Sequence, residues 1–445
     1  MISPRRLVRA LSLGVLLFVG GWRPAAAQTS DDTVPLAKRQ QIAAELDRGI
    51  RRYFAHLAGA PDLTDYPAVY AAYREKALAT RGRRDFDLAT LEFMARLHNG
   101  HTDFNDRWLW DRFGAPLGFA VRWMDGRWAI IYSDRPGLKV GDVVGAVDGE
   151  PMEAFYQREK RFIPASSDRM ARHLFRNRSY LFPQRFTLTL ADGRQVEVTR
   201  GEPSAPSTPP AATATASTAD VVPHRWLVPD SVAYMQIPSF GEDKYQNRAL
   251  EVLHEYHDAP ALVIDVRGNG GGSTPETLMR QLADRPLPWW WEYSALGSGP
   301  MRHLPKTDEI GPNGERKPQP YRPGGTLSPR QVYRGRLVIL ANIGCGSACE
   351  DFVMPLQQTG RATVVGDTTF GSTGQPYIMD FGDGMTARVS GRRAYFPGGK
   401  PFEGVGIAPD VYVPPSIAAY QGGGDSALDR ALQVVRAPAP PRPSP

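Results

Sequence analysis

Between residues 223 and 414 the chain alternates short apolar runs with amphipathic stretches. The runs at 231–237, 261–266, 336–341 and 362–365 have strand length and little polar interruption, while helical spacing recurs at about 246–257, 274–282 and 348–358. Such alternation predicts an α/β fold, a parallel sheet flanked by helices. Upstream, Ile42, Leu46, Ile50, Tyr53 and Phe54 recur near helical spacing, 67–78 forms a second predicted helix with Pro67 in its first turn, and 85–97 forms a third. From 113 to about 199 the pattern turns to short strands. The chain therefore divides into an N-terminal helical region (28–112), a β-rich domain (113–201), a flexible linker rich in Pro, Ser, Thr and Ala (202–222), a core (223–435) and a disordered tail (436–445). Residues 286–333, with their prolines, charges and Trp289, Trp290 and Trp291, interrupt the core as a surface insertion.

The first 27 residues stand apart. Arg5, Arg6 and Arg9 precede an apolar run that ends near Gly21, and Ala25, Ala26 and Ala27 offer a small-residue cleavage site. This reads as a secretory signal peptide, too short to span a membrane, and implies a secreted or periplasmic protein without stable membrane insertion. The Arg5–Arg6 pair raises twin-arginine export, although the residues after it match that signal poorly. Removing the segment takes four of the 53 Lys and Arg and none of the 47 Asp and Glu, so the net charge falls from +6 to +2. No polybasic tract remains to engage nucleic acid. The chain has only two cysteines, Cys345 and Cys349. Two thiols cannot close a zinc site alone; they form either a short disulfide or two small residues packed under a turn.

Candidate chemistry concentrates at glycine-rich turns. The apolar run 337–341 stops in small residues, and Ser347 then opens a predicted helix, where unpaired backbone N–H groups favour developing negative charge. Gly270 and Gly271 follow another buried strand and let N–H groups approach a ligand. His101 lies on a polar loop after the third helix. A serine hydrolase needs such a nucleophile, base and oxyanion hole. His254 and His257 share a predicted helix but lack an acidic or cysteine partner for a metal, so no metal or cofactor is expected.

Five blocks, read together, resemble the tail-specific, or C-terminal-processing, serine peptidases. They are 99–102 (Asn-Gly-His-Thr), 137–151, 265–272 (Asp-Val-Arg-Gly-Asn-Gly-Gly-Gly), 346–350 (Gly-Ser-Ala-Cys-Glu) and 403–410 (Glu-Gly-Val-Gly-Ile-Ala-Pro-Asp). The resemblance implies a crotonase-like spiral protease core, a PDZ-like domain over 113–201, a polypeptide substrate and Ser347 as nucleophile. In the family's Ser–Lys branch a lysine follows the nucleophile by 25 residues; that position here is Ser372. The chain is instead similar to the tricorn-like branch, with His101 as base and Glu403 as its distant carboxylate. The serine that precedes the histidine in that branch is Gly100 here.

The expectation is that Glu403 orients His101 directly, through Ser372 or through water. Backbone N–H groups of Gly270 or Gly271 and of Ala348 would hold the oxyanion. Leu117, Gly118 and Phe119 resemble a PDZ carboxylate-binding loop. Lys400 is a displaced-base candidate, and Trp289–Trp291 either grip an apolar substrate or pack. Two other readings share the fold: a non-catalytic binder of retinoid- or lipid-type ligands, and an esterase or lactonase.

Overall fold

The computed structural model describes residues 32–57, 63, 65–202, 220–294, 315–316 and 332–437. The expected signal peptide lies outside the described residues, as do most of the linker, much of the 286–333 insertion and nearly all of the tail.

The N-terminal region contains α1 (Leu36–Tyr53), α2 (Tyr66–Ala79) and α3 (Arg83–Ala95), then β1 (Asp103–Asp106) and α4 (Arg107–Phe113). Asp65 caps α2 by accepting from Ala68 N–H at 3.1 Å, with Pro67 inside the first turn. The middle region opens with the hairpin β2 (Phe119–Met124) and β3 (Arg127–Ser133), followed by β4 (Val144–Val147), β5 (Glu150–Pro151), α5 (Met152–Glu159), α6 (Asp168–Phe175), β6 (Arg185–Leu190) and β7 (Gln195–Thr199). Helices α5 and α6 are additions to the strands expected here. Ser167 caps α6, and Met170, Ala171 and Phe175 form its buried face.

The third region supplies β8 (His224–Val228), β9 (Val232–Gln236), α7 (Asp243–Glu255), β10 (Ala261–Asp265), α8 (Glu276–Leu282), β11 (Trp291–Ser294), β12 (Glu315–Arg316), β13 (Arg336–Ala341), α9 (Ala348–Gln358) and β14 (Ala362–Gly366). It closes with β15 (Pro376–Gly382), β16 (Met385–Ser390), β17 (Arg392–Tyr395), β18 (Val411–Tyr412), α10 (Ile417–Gly422) and α11 (Ser426–Arg436). Six strands form one sheet in the order β18-β14-β13-β10-β9-β8, parallel except for β8 against β9. Side chains alternate across it. Leu262, Ile264, Leu337 and Ile339 pack with residues of α7, α8 and α9, while Val263, Val338 and Leu340 pack under α11. The helix-covered parallel sheet is the α/β architecture that the alternation predicts. Among the described residues no helix is long and apolar enough to cross a membrane.

The separation of the N-terminal region from the core needs revision. Strand β1 pairs with β16 in the sheet β1-β16-β15, so Asp103 lies opposite Arg388 and Phe104 opposite Ala387. One apolar cluster joins Ile42, Leu46 and Phe86 to Phe155 and Phe175 of the middle region and to Met385 and Val389 of the core. This shared packing fixes the loop that carries His101 against the third region.

Candidate active site

Strand β13 ends at Ala341, and the chain turns through Asn342–Gly346 before Ser347 opens α9. Ser347 holds φ +56° and ψ −124°, a left-handed conformation disfavoured for a residue with a Cβ. The turn is braced from several sides. Cys345 and Cys349 are joined as a disulfide with Cα atoms 5.4 Å apart. Ser347 N–H donates to the Glu350 carboxylate at 3.2 Å and to Ser372 O at 3.1 Å. Gly271, at φ +95°, lies so close that a Cβ there would stand 2.7 Å from Ser347 Cβ and 2.8 Å from Ala348 N, so only glycine fits.

His101 reaches this turn from the loop before β1. Its Nε2 lies 3.0 Å from Ser347 Oγ and its Nδ1 2.8 Å from Ser372 Oγ. Burial pushes the imidazole down from 6.5 to about 3, and Arg388, Arg392 and His56 add to the shift. The ring is therefore neutral at neutral pH and able to accept a proton. Ser372 fills space left by Gly100, where a Cβ would stand 2.8 Å from Ser372 Cβ. A serine at position 100, as in the tricorn-like pattern, would collide with it.

Glu403 is close to this group but bonds elsewhere. Its Oε1 accepts from Gly100 N–H at 3.1 Å and from the Ser166 hydroxyl. Burial raises the carboxyl to about 7, opposed by Ser166, Gly100 and the nearby Ser372 hydroxyl, all of which favour the charge. No contact of full hydrogen-bond geometry reaches its buried Oε2 among the described residues. Glu403 therefore makes no direct hydrogen bond to His101; Ser372 is the group on Nδ1.

Of the expected oxyanion donors, Gly271 N–H is already committed to Asn269 Oδ1 at 2.9 Å. Ala348 N–H, the first of α9, makes no hydrogen bond among the described residues, and Gly270 is exposed beside it in the glycine turn. These two N–H groups remain available to a substrate carbonyl.

Glu350 is a site residue that the sequence reading left without a role. It is fully buried and accepts from Thr369 Oγ1 at 2.5 Å, Gly371 N–H at 2.6 Å and Ser372 N–H at 3.1 Å, in addition to Ser347 N–H. One carboxylate thereby ties the Ser347 turn to the loop that carries Ser372. Burial raises it to about 8, opposed by the Thr369, Gly371 and Ser372 donors. The signal was present as Ser-x-x-Glu at a helix start. Ser166, by contrast, arrives from a distant loop and left no local mark.

The other candidates lie outside this group. Leu117 and Phe119 are buried; Leu117 O accepts from Arg135 Nε, and Gly118 O accepts from Asp134 N–H. Phe119 packs edge-on against Phe182 and Phe186. Trp290 is buried against Phe402 and donates to Asp351 Oδ1 at 2.7 Å, so this tryptophan packs, the second of the two expectations. Lys400 is exposed. His257 Nδ1 lies 3.1 Å from Asp258, and no group of three metal-ligating side chains occurs among the described residues.

Residues 231–413 match the family described as Peptidase family S41. The matched segment contains Ser347, Gly270, Gly271, Glu350, Ser372 and Glu403; His101 comes from outside it. The chain is 27% identical over 187 residues to the carboxy-terminal processing protease CtpB of Bacillus subtilis (strain 168), covering 41% of this chain and 34% of that protein. It is 26% identical over 192 residues to the carboxyl-terminal-processing protease of Synechocystis sp. (strain ATCC 27184 / PCC 6803 / Kazusa), covering 43% and 40%. The chain thus spans well under half the length of these curated relatives. The fold is similar to that of mature CPAF, with a TM-score of 0.67 at 17% identity over 90% of this chain and 97% of that one.

Proposed function

We propose that the protein is an exported serine peptidase of the His-containing type, which cleaves polypeptides near their C-termini. The observation that carries this reading is the Ser347 Oγ–His101 Nε2 contact of 3.0 Å on a strained turn at a helix start. Its fold description is a crotonase-like core with a PDZ-like domain over 113–201. Likeness to carboxy-terminal processing proteases of Bacillus subtilis and Synechocystis supports the substrate class.

In this mechanism His101 Nε2 takes the Ser347 hydroxyl proton as Oγ bonds to the scissile carbonyl carbon. The carbonyl oxygen becomes an oxyanion held by the N–H groups of Ala348 and Gly270. Collapse breaks the C–N bond, and the amine departs with the proton from His101. His101 then deprotonates a water that attacks the acyl carbon, and returns that proton to Oγ as the acyl–Oγ bond breaks and Ser347 is released. Ser372 holds the ring through Nδ1, and Glu403 favours that arrangement through Ser372 and Gly100. A Lys dyad has no counterpart at position 372, whereas a neutral imidazole suits the base role at neutral pH.

The test compares wild type with Ser347→Ala on casein and on a peptide whose C-terminal fragment is resolved by mass spectrometry. Wild type should cleave and the variant should not. Ester turnover without peptide cleavage would favour an esterase, and stoichiometric lipid binding without either would favour a carrier.

A further inference from the structure

Among the described residues, Arg388 is an arginine without a hydrogen-bond or ion-pair partner beside the candidate site. It lies on β16, opposite Asp103 of β1 on one side and Ile378 of β15 on the other, so these three side chains share one face of the small sheet. Asp103, the nearest carboxylate in register, is taken by Arg178, whose Nη2 lies 2.9 Å from Oδ2. Arg388 itself makes no hydrogen bond or ion pair among the described residues, although it is only partly exposed. Burial pushes its guanidinium below the usual range; Asp103 opposes this, and Arg178 adds to it. Ile378 beside it is 57% exposed, an apolar side chain open to a ligand. None of its nitrogens is sealed from solvent, so the fork of five donors is open to a planar anion, and a carboxylate is the group it matches.

Position decides which end of a substrate would bring that carboxylate. Arg388 faces β1, which runs on from His101, and its charge is felt by the His101 ring. On the peptidase reading, on which this inference rests, His101 delivers a proton to the departing amine. A cation on the His101 side would meet the departing, C-terminal part of the substrate.

We propose that Arg388 binds a carboxylate of the substrate on the C-terminal side of the scissile bond, with Ile378 covering an adjacent apolar side chain. The carboxylate is either the chain terminus or an Asp or Glu side chain close to it. A charge-assisted, bidentate contact of this kind favours the acid over its amide by about tenfold or more.

Binding can be read without turnover, using Ser347→Ala protein and fluorescence anisotropy with an unstructured labelled peptide. The peptide is prepared as the free acid, as the C-terminal amide, and as amides with Asp or Asn near the end. Tighter binding of the acid than the amide, lost in Ser347→Ala/Arg388→Gln and partly kept in Ser347→Ala/Arg388→Lys, supports recognition of the terminus. A preference for Asp over Asn that depends on Arg388 supports recognition of a side chain. Equal affinity for every acid and amide pair overturns the proposal. So does a preference that survives Arg388→Gln, which would assign the carboxylate to another site such as the 117–119 loop. Folding of the variants is checked by circular dichroism. An Arg388-dependent preference in a protein that never cleaves peptide would sink the peptidase reading and leave this site standing.

Discussion

The Nε2 atom of His101 lies 3.0 Å from Ser347 Oγ across 246 residues of sequence. The two groups meet because β1 pairs with β16, binding the N-terminal region to the part of the chain that carries Ser372. A base delivered this way depends on packing between regions, since small displacements of reacting groups are costly.

Ser372 should matter through orientation. Ser372→Ala removes the group 2.8 Å from His101 Nδ1 and leaves the ring free to turn. Steady-state kinetics should show kcat lower by about 10²-fold with KM little changed. Loss of substrate affinity with kcat intact would assign Ser372 to binding instead.

Activity should fall on the acid side through Glu403. Its carboxyl titrates at about 7, while His101 protonates only near 3, so the neutral ring does not set the acid limb. As pH drops below about 7 the carboxylate is neutralised and its support for the Ser372–His101 arrangement is lost. The kcat/KM profile of wild type should bend near 7, and Glu403→Gln should give a lower profile without that bend.

The same groups shape stability in the opposite direction. The folded-state values of Glu350 and Glu403 are raised to about 8 and about 7 from 4.5, so the folded state holds extra protons between these values. The sign follows: their contribution is fully present below about 4.5 and is lost as pH rises through 7 to 8. Thermal unfolding of Glu403→Gln should show a smaller fall in Tm between about pH 5 and about pH 9 than wild type, a range that spans most of the loss.

Glu350→Ala should both destabilise and inactivate. It leaves the buried donors of Thr369, Gly371 and Ser372 without their acceptor, at about 1–3 kcal/mol for each unsatisfied group. Urea unfolding should report a lower midpoint, and the loosened Ser347 turn should lower kcat. A variant with wild-type midpoint and turnover would remove Glu350 from the account.

The parts of this fold that were legible in the sequence are those set by local pattern. The buried strands β9, β10, β13 and β14 are continuous apolar runs, and α9 starts at Ala348 as its turn chemistry predicts. Helix α6 was readable too, from Ser167 as cap and the spacing of Met170, Ala171, Leu174 and Phe175, but its eight residues were absorbed into a stretch of strands. Strands β15, β16 and β17 carry Arg, Thr and Gly among their apolar positions, so their alternation is weak, and the pairing of Asp103 with Arg388 has no local signature. At the site, turn glycines and Ser347 announced themselves. The convergence of Ser166, Gly100 and Ser372 around Glu403 is a tertiary fact that no spacing records.

The most direct test is the rate at which a fluorophosphonate labels wild type, Ser347→Ala and His101→Ala, with the adduct located by mass spectrometry. The account predicts labelling of wild type at Ser347, none in Ser347→Ala, and labelling of folded His101→Ala slowed by about 10⁴-fold or more, as expected when a serine loses its base. Labelling of His101→Ala at the wild-type rate would contradict it.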